Sequence, residues 1–350
     1  MFVAGAGGDV SGIQLSTNQK LDLPKGPKGP VTCIKTVGAD STDLKSGNLY
    51  AGSWDKSIWQ FPLGFQNGQA VQTVPPTSFA AHTDFVKCIA ISSTPDKQPV
   101  LISGGADGDI RFWTPDGKSL GSIRPQRRGI EYIVSDPYAL VGQPVIFFST
   151  SQRDIYQFDM PNAAEIGRNT IPIKPLPQAH ETSVYKLQFD SDGDLWTASA
   201  DKTCKRLVRE NGWVADTTLQ HPDFVKDVVT HDEYGLVLTA CRDEEIRVWD
   251  KATSQLRHIF SGHFEEVTAL ALAGDLLISV SIDSTLRRWS LAPQDLRKAI
   301  ETAKEADLTK DNPEPATDLG MLTAEEEAEL RALMEDEEAD ALEKMAVGDQ

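Results

Sequence analysis

With 350 residues, of which 40% are hydrophobic and 25% charged, the chain can bury a sizeable core, either as one large β domain or as two smaller ones. Its formal net charge of −18 argues against a nucleic-acid-coating protein, because neutralising phosphates needs clustered Lys and Arg; no direct nucleic-acid binding is expected. The cysteines Cys33, Cys88, Cys204 and Cys241 are scattered with no Cys-x-x-Cys pair, which excludes a disulfide scaffold and argues against a zinc site; no metal or other cofactor is expected.

The N-terminus lacks the basic residue and long apolar stretch of a signal peptide, and no run of 18 apolar residues occurs. The expectation is a soluble protein of the cytoplasm, the nucleus or both, without a membrane partner. Charge is uneven. Residues 292–350 hold 18 acidic and six basic side chains, a net of −12, which leaves −6 for the rest. The last aromatic is Trp289. A boundary therefore falls after residue 291, between a β-like body and an acidic, aromatic-free tail.

In chain order, the body repeats one strand, turn, strand frame. It is weakest at Gly7 to Ile13. It continues at Asp55 to Phe61, Asp107 to Trp113, Gln152 to Phe158, Asp201 to Leu207, Asp243 to Trp249 and Asp283 to Trp289. Each frame closes six residues after its turn residue, and the turns are 48, 52, 45, 49, 42 and 40 residues apart. Before the turns, His82, His180, His221 and His263 each stand four residues ahead of a valine (Val86, Val184, Val225, Val267) that opens an alternating apolar run. Runs without the histidine begin at Val31 and Ile130. A loose outer strand, such as residues 254–260, completes a unit of four short strands. Such a unit cannot bury a face alone, but radial stacking of several can.

With Gly262-His263 and Trp249-Asp250 in phase, the repeat resembles the WD40 family, over roughly residues 1–291. The resemblance implies an all-β fold, a seven-bladed WD40 β-propeller; the acidic, partly helical tail, residues 292–350, lies beyond it. Leu207 and Gln152 depart from the family pattern, and the first unit lacks both marks. There are seven turns but only six opening strands, and no clear outer strand follows Trp289. The closing blade is thus irregular: either the sequence starts at an internal methionine, or the tail or a partner completes the blade. A six-bladed ring is the alternative.

Three sets look chemical: His82, Ser103, Asp107 and Trp113; His221, Thr239, Asp243 and Trp249; His263, Ser279, Asp283 and Trp289. Histidine, hydroxyl and carboxylate together suggest a hydrolase triad. Three copies, however, are hard to reconcile with one active site. The resemblance implies instead a hydrogen-bond chain running Asp to His to Ser/Thr to Trp, which satisfies buried polar groups and locks the blade. The glycines at 5–8 and 104–105 lack the Gly-Lys-Ser/Thr of a phosphate loop and read as turns. Arg124, Arg127 and Arg128, the local basic cluster, read as a solvated loop.

The turns after the second strands and the approaches to the first strands should lie at one end of the ring, the end the resemblance assigns to peptide binding. That end would present Trp54, Asp84, Phe85, Asp223, Phe224, Arg242, Glu265 and Glu266. The competing reading packs Phe85 and Phe224 between blades. In the tail, Pro293 to Ala306 favours a helix. Thr323 and Glu326 offer a capping box, and Leu330, Leu333 and Met334 lie on a narrow apolar stripe suited to docking on a partner with a basic groove; the competing reading is a solvated helix or a disordered tail.

The resemblance implies a non-enzymatic scaffold for protein–protein interactions, a monomeric ring within a hetero-complex. Alternatives are a non-catalytic subunit of an RNA-modification or ribosome-assembly complex and a ubiquitin-ligase substrate receptor. The Trp-Asp-x-Arg mark of that last class is absent at Trp249 and Trp289.

Overall fold

The computed structural model describes residues 1–37, 46–66, 69–72, 74–125, 128–168 and 170–311. It divides into two compact units, Met1–Asp295 and Leu296–Gln350. The first is a seven-bladed β-propeller. The six inner strands begin where the apolar runs begin: Val31–Val37, Val86–Ser93, Ile130–Ser135, Val184–Phe189, Val225–His231 and Val267–Ala273 open blades 2 to 7. Period-two alternation places one side of each strand against each neighbouring blade.

Blades 3 to 6 are antiparallel four-stranded meanders. In blade 2 the third strand, Ser57–Gln66, pairs with both Gln69–Gln72 and Thr77–Ala80. The two blades at the chain ends have three described strands each. Among the described residues, blade 1 (Phe2–Ala4, Val10–Ile13, Lys20–Asp22) has no inner strand, and blade 7 ends at Leu286–Ser290 with no outer one. Arg288 of blade 7 joins the two, donating to the Leu15 carbonyl at 2.9 Å and to the Asn18 side chain. The chain then enters a helix, Pro293–Asp311, with proline at its first position, where a missing N–H costs nothing.

The core lies between blades. Val10, Leu49 and Phe61 fill the space between blades 1 and 2; Tyr50, Ile58, Val86 and Trp113 that between 2 and 3. Phe112, Ile130, Phe148 and Phe158 join blades 3 and 4, and Trp196, Val225 and Trp249 join 5 and 6. Polar clamps add to this. Lys251 Nζ of blade 6 meets Asp190 and Asp192 of blade 5 at 3.0 and 2.8 Å, and Asp232 at 3.0 Å. Burial works against the charge of this ammonium, yet the three carboxylates raise its pKa. Arg209 of blade 5 holds Asp136 of blade 4 through two bonds of 2.9 and 2.8 Å.

Candidate functional site: the aspartate face

The turns between second and third strands share one construction. The residue after the turn aspartate is left-handed in five blades: Lys56, Gly108, Lys202, Glu244 and Ser284 have φ of 70°, 80°, 67°, 72° and 64°. The aspartate holds that turn by accepting the amide hydrogen two residues on: Ser57, Asp109, Thr203 and Thr285 donate at 3.0, 3.1, 3.1 and 2.7 Å, and Glu245 at 3.4 Å. This explains why the repeat needs Asp at that place.

A second bond recurs around the ring. The amide just before the turn aspartate, or before Gln152, donates to the carbonyl just before the inner strand: Trp54 to Pro30, Ala106 to Phe85, Ser151 to Gly129, Ala200 to Ser183, Arg242 to Phe224 and Ile282 to Glu266, all at 2.8–3.1 Å. Turns and strand approaches therefore share one end of the ring, and these paired residues form its rim. Blades 4 and 5 contribute only Ser151, Gly129, Ala200 and Ser183. The large side chains gather on blades 2, 3, 6 and 7.

Trp54 is 47% exposed and stacks on half-buried Phe85 of the next blade, with centroids 4.7 Å apart. Arg242 lies over Phe224 at 5.3 Å and near Glu266 at 3.8 Å; Glu266 also takes Lys226 at 3.0 Å. Asp84 and Asp223 each accept the amide hydrogen of the following phenylalanine at 2.9 Å and fix that approach. Glu265 is exposed. Two rim residues escaped the sequence reading: Phe264 and Ile282 are 74% and 61% exposed. Ile282 occupies the pre-aspartate position of Trp54 and Arg242, a signal already in hand, but its aliphatic side chain reads as core. Arg287 lies over Phe264 at 5.8 Å, its Nε buried without a hydrogen-bond partner.

Behind the rim lie the histidine sets. In blade 3, His82 Nδ1 meets Asp107 at 3.0 Å, its Nε2 meets Ser103 at 2.8 Å, and Trp113 donates to Ser103 at 2.9 Å. Blade 7 repeats this, with His263 to Asp283 at 3.1 Å, to Ser279 at 2.7 Å, and Trp289 to Ser279 at 2.9 Å. Blade 5 holds a set that sequence reading left incomplete because Leu207 replaces the aromatic. His180 bridges Asp201 and Thr197 at 2.8 and 2.7 Å, and the Thr197 hydroxyl donates to the Lys205 carbonyl instead.

Blade 6 corrects the expected chain. His221 meets Thr239 at 2.8 Å and Trp249 donates to Thr239 at 2.9 Å, but Asp243 does not reach the histidine. His221 Nδ1 pairs with the Leu219 carbonyl at 3.1 Å, and Asp243 takes two bonds from Arg247, at 3.1 and 2.6 Å. The cause lies next door. Elsewhere the residue after the histidine donates its amide hydrogen to the aspartate: Thr83, Glu181 and Phe264 at 2.8, 3.0 and 3.0 Å. In blade 6 that residue is Pro222, which has no N–H. Asp243 loses its anchor and turns to Arg247.

The electrostatics follow. Burial, reinforced by Arg247, pushes the His221 imidazole down to about 4. Burial also lowers His82, against the pull of Asp107. Burial would raise the Asp201 and Asp283 carboxyls, yet the donors around them hold both well below the usual carboxylate range. The hydroxyls of Ser103, Thr197, Thr239 and Ser279 belong to side chains with no exposed surface. A nucleophile must be reached by its substrate; these groups instead satisfy one another's donors and acceptors inside the blade. Among the described residues no group of three His, Cys, Asp or Glu is placed to hold a metal ion, and no helix is long and apolar enough to cross a membrane.

Arg124 pairs with Asp109 at 2.5 Å, and Arg127 lies outside the described residues. So do Thr323, Glu326, Leu330, Leu333 and Met334.

Sequence comparison places these features among known proteins. The family model "WD domain, G-beta repeat" matches residues 73–114, 172–205, 214–250 and 254–290. An uncharacterised WD repeat-containing protein of Schizosaccharomyces pombe is 33% identical over 341 residues, which cover 96% of this chain and 85% of that one. Striatin-3 of Bos taurus is 24% identical over 69% of this chain but only 26% of its own length. Among solved structures, the computationally designed protein Ika8 superposes with a TM-score of 0.56 at 18% identity, covering 83% of this chain and 92% of its own, a likeness of fold alone.

Proposed function

The chain belongs to the WD40-repeat family of β-propellers, and from that premise we propose that it is a non-enzymatic scaffold whose aspartate face holds a partner protein in a hetero-complex. The observation that carries this reading is the exposure of Phe264, Ile282 and Trp54 on a rim built from six repeated backbone hydrogen bonds. Large apolar side chains on a rigid frame lose little conformational entropy on binding, and aromatic and arginine residues are the usual energetic anchors of interfaces. Trp54, Phe85, Phe224 and Arg242 are of that kind. The uneven rim argues for contact over blades 6, 7, 2 and 3 rather than over the whole ring.

The tail supplies a second element of the proposal. Its net charge of −12 and the stripe of Leu330, Leu333 and Met334 suit a partner with a basic groove. Changing these three residues to Asp keeps the sign of the charge and removes the apolar anchor.

Affinity purification of the full chain with quantitative mass spectrometry tests the reading. A discrete set of stoichiometric subunits is the expected result. Recovery of an isolated chain that turns over small molecules overturns it.

A further inference from the structure

The opposite end of the ring carries a feature that the scaffold reading does not use. Between the first two strands of blade 4, residues 136–144 form a long loop with exposed Tyr138, Leu140 and Val141 (49%, 74% and 93%). The other described turns at this end present mostly polar residues and glycine.

The loop is held firmly at its base. Asp136 is buried and accepts both Arg209 bonds, at 2.9 and 2.8 Å, and it also accepts the Tyr138 amide hydrogen at 2.9 Å. Arg209 stacks over Trp213 at 4.8 Å and Tyr138 at 5.9 Å. At the tip, the Gln143 amide donates to the Leu140 carbonyl at 2.8 Å, and Gly142, with φ of 81°, closes the turn. The apolar tip is therefore displayed on a fixed support.

Beside it opens a cleft of about 590 Å³, walled by Pro95, Leu140, Pro144, Val145 and Met160, a size suited to an apolar anchor with its neighbours. The charges in its lining are Asp136, Asp159 and Arg209. Arg209 is consumed by Asp136 and by the Gly193 carbonyl at 2.9 Å. Asp159 is left with Lys174 at 3.3 Å, both well exposed and hence weakly coupled. Exposed Asp96 stands in the adjoining turn beside exposed Lys97; Asp192, which pairs with Lys251 at 2.8 Å, and half-buried Asp194 follow in blade 5.

We infer that this cleft receives a peptide segment of a partner protein that carries an aliphatic or aromatic anchor beside a lysine or arginine. The anchor seats against Leu140, Pro144 and Met160, and the cation pairs with Asp159. The net charge of −18 favours a cationic partner and disfavours a second copy of this chain. The inference is independent of the aspartate face, which lies at the other end of the ring.

A library of displayed random decapeptides, selected on the full chain, tests it. Selected peptides are expected to carry Lys or Arg within two residues of an apolar anchor. Their affinity should fall about tenfold between low and physiological salt and by at least about tenfold on Leu140→Ser with Val141→Ser. Asp159→Asn should weaken them severalfold, while Trp54→Ala leaves them unchanged. The changed side chains are exposed, so the melting temperature should hold and separates lost binding from lost folding. Selected peptides that lack cations, or that bind the Leu140→Ser, Val141→Ser chain equally well, overturn the inference. Self-association of the wild type that the double change abolishes assigns the surface to a second copy and also overturns it.

Discussion

Blades 3 and 6 both carry a histidine, a hydroxyl residue, an aspartate and a tryptophan at nearly the same spacings, yet they are wired differently. In blade 3, His82 joins Asp107 to Ser103. In blade 6, His221 joins Thr239 to a backbone carbonyl, and Asp243 serves Arg247. One amide hydrogen accounts for the difference: Thr83 supplies it and Pro222 cannot. Repeat spacing decides where side chains stand, while the residue next door decides which of them bond.

The largest expected effect that separates the blades is on pH dependence. Free of a carboxylate, His221 stays neutral in the fold down to about 4, whereas in the unfolded chain it gains a proton near 6.5. Between those values the unfolded state binds more protons. The contribution is thus fully present above about pH 6.5 and is lost as pH falls toward 4, by at most about 3 kcal/mol. Chemical denaturation at a series of pH values should show that His221→Gln removes this loss. If the variant keeps the wild-type slope, His221 is not a buried neutral group.

Double-mutant cycles compare the wiring directly. Asp107 and His82 should couple by about 1–3 kcal/mol, as should Asp243 and Arg247. Asp243 and His221 should couple by less than about 0.5 kcal/mol. A strong Asp243–His221 coupling would return blade 6 to the pattern of blade 3.

The smallest effect sharpens the cause. Pro222→Thr restores an amide hydrogen beside Asp243. The carboxylate should then swing toward His221 and raise its pKa, with a stability change below about 1 kcal/mol. Histidine titration by NMR reads this shift. An unmoved His221 would show that Arg247 alone dictates the arrangement.

Much of this was legible beforehand. Val31, Val86, Ile130, Val184, Val225 and Val267 open the inner strands where their apolar runs begin, because a strand buried between two blades must alternate from its first residue. Asp55, Asp107, Asp201, Asp243 and Asp283 marked the turns because each cradles the amide two residues on. The histidine wiring of blade 6 was hidden: spacing does not report the missing N–H of Pro222. Phe264, Ile282, Leu140 and Val141 were also hidden. An apolar side chain beside a strand is the ordinary sign of core, and only the backbone turns that carry these four bring them to the surface.

The central claim is that the aspartate face, through blades 6, 7, 2 and 3, holds a partner. Quantitative co-purification with full-length Trp54→Glu and Phe264→Glu, alongside the wild type, tests it most directly. The account predicts that each change strips at least one stoichiometric subunit while the melting temperature stays within about 2 °C, since exposed rim residues contribute little to stability. Undiminished recovery of every subunit from both variants would contradict it.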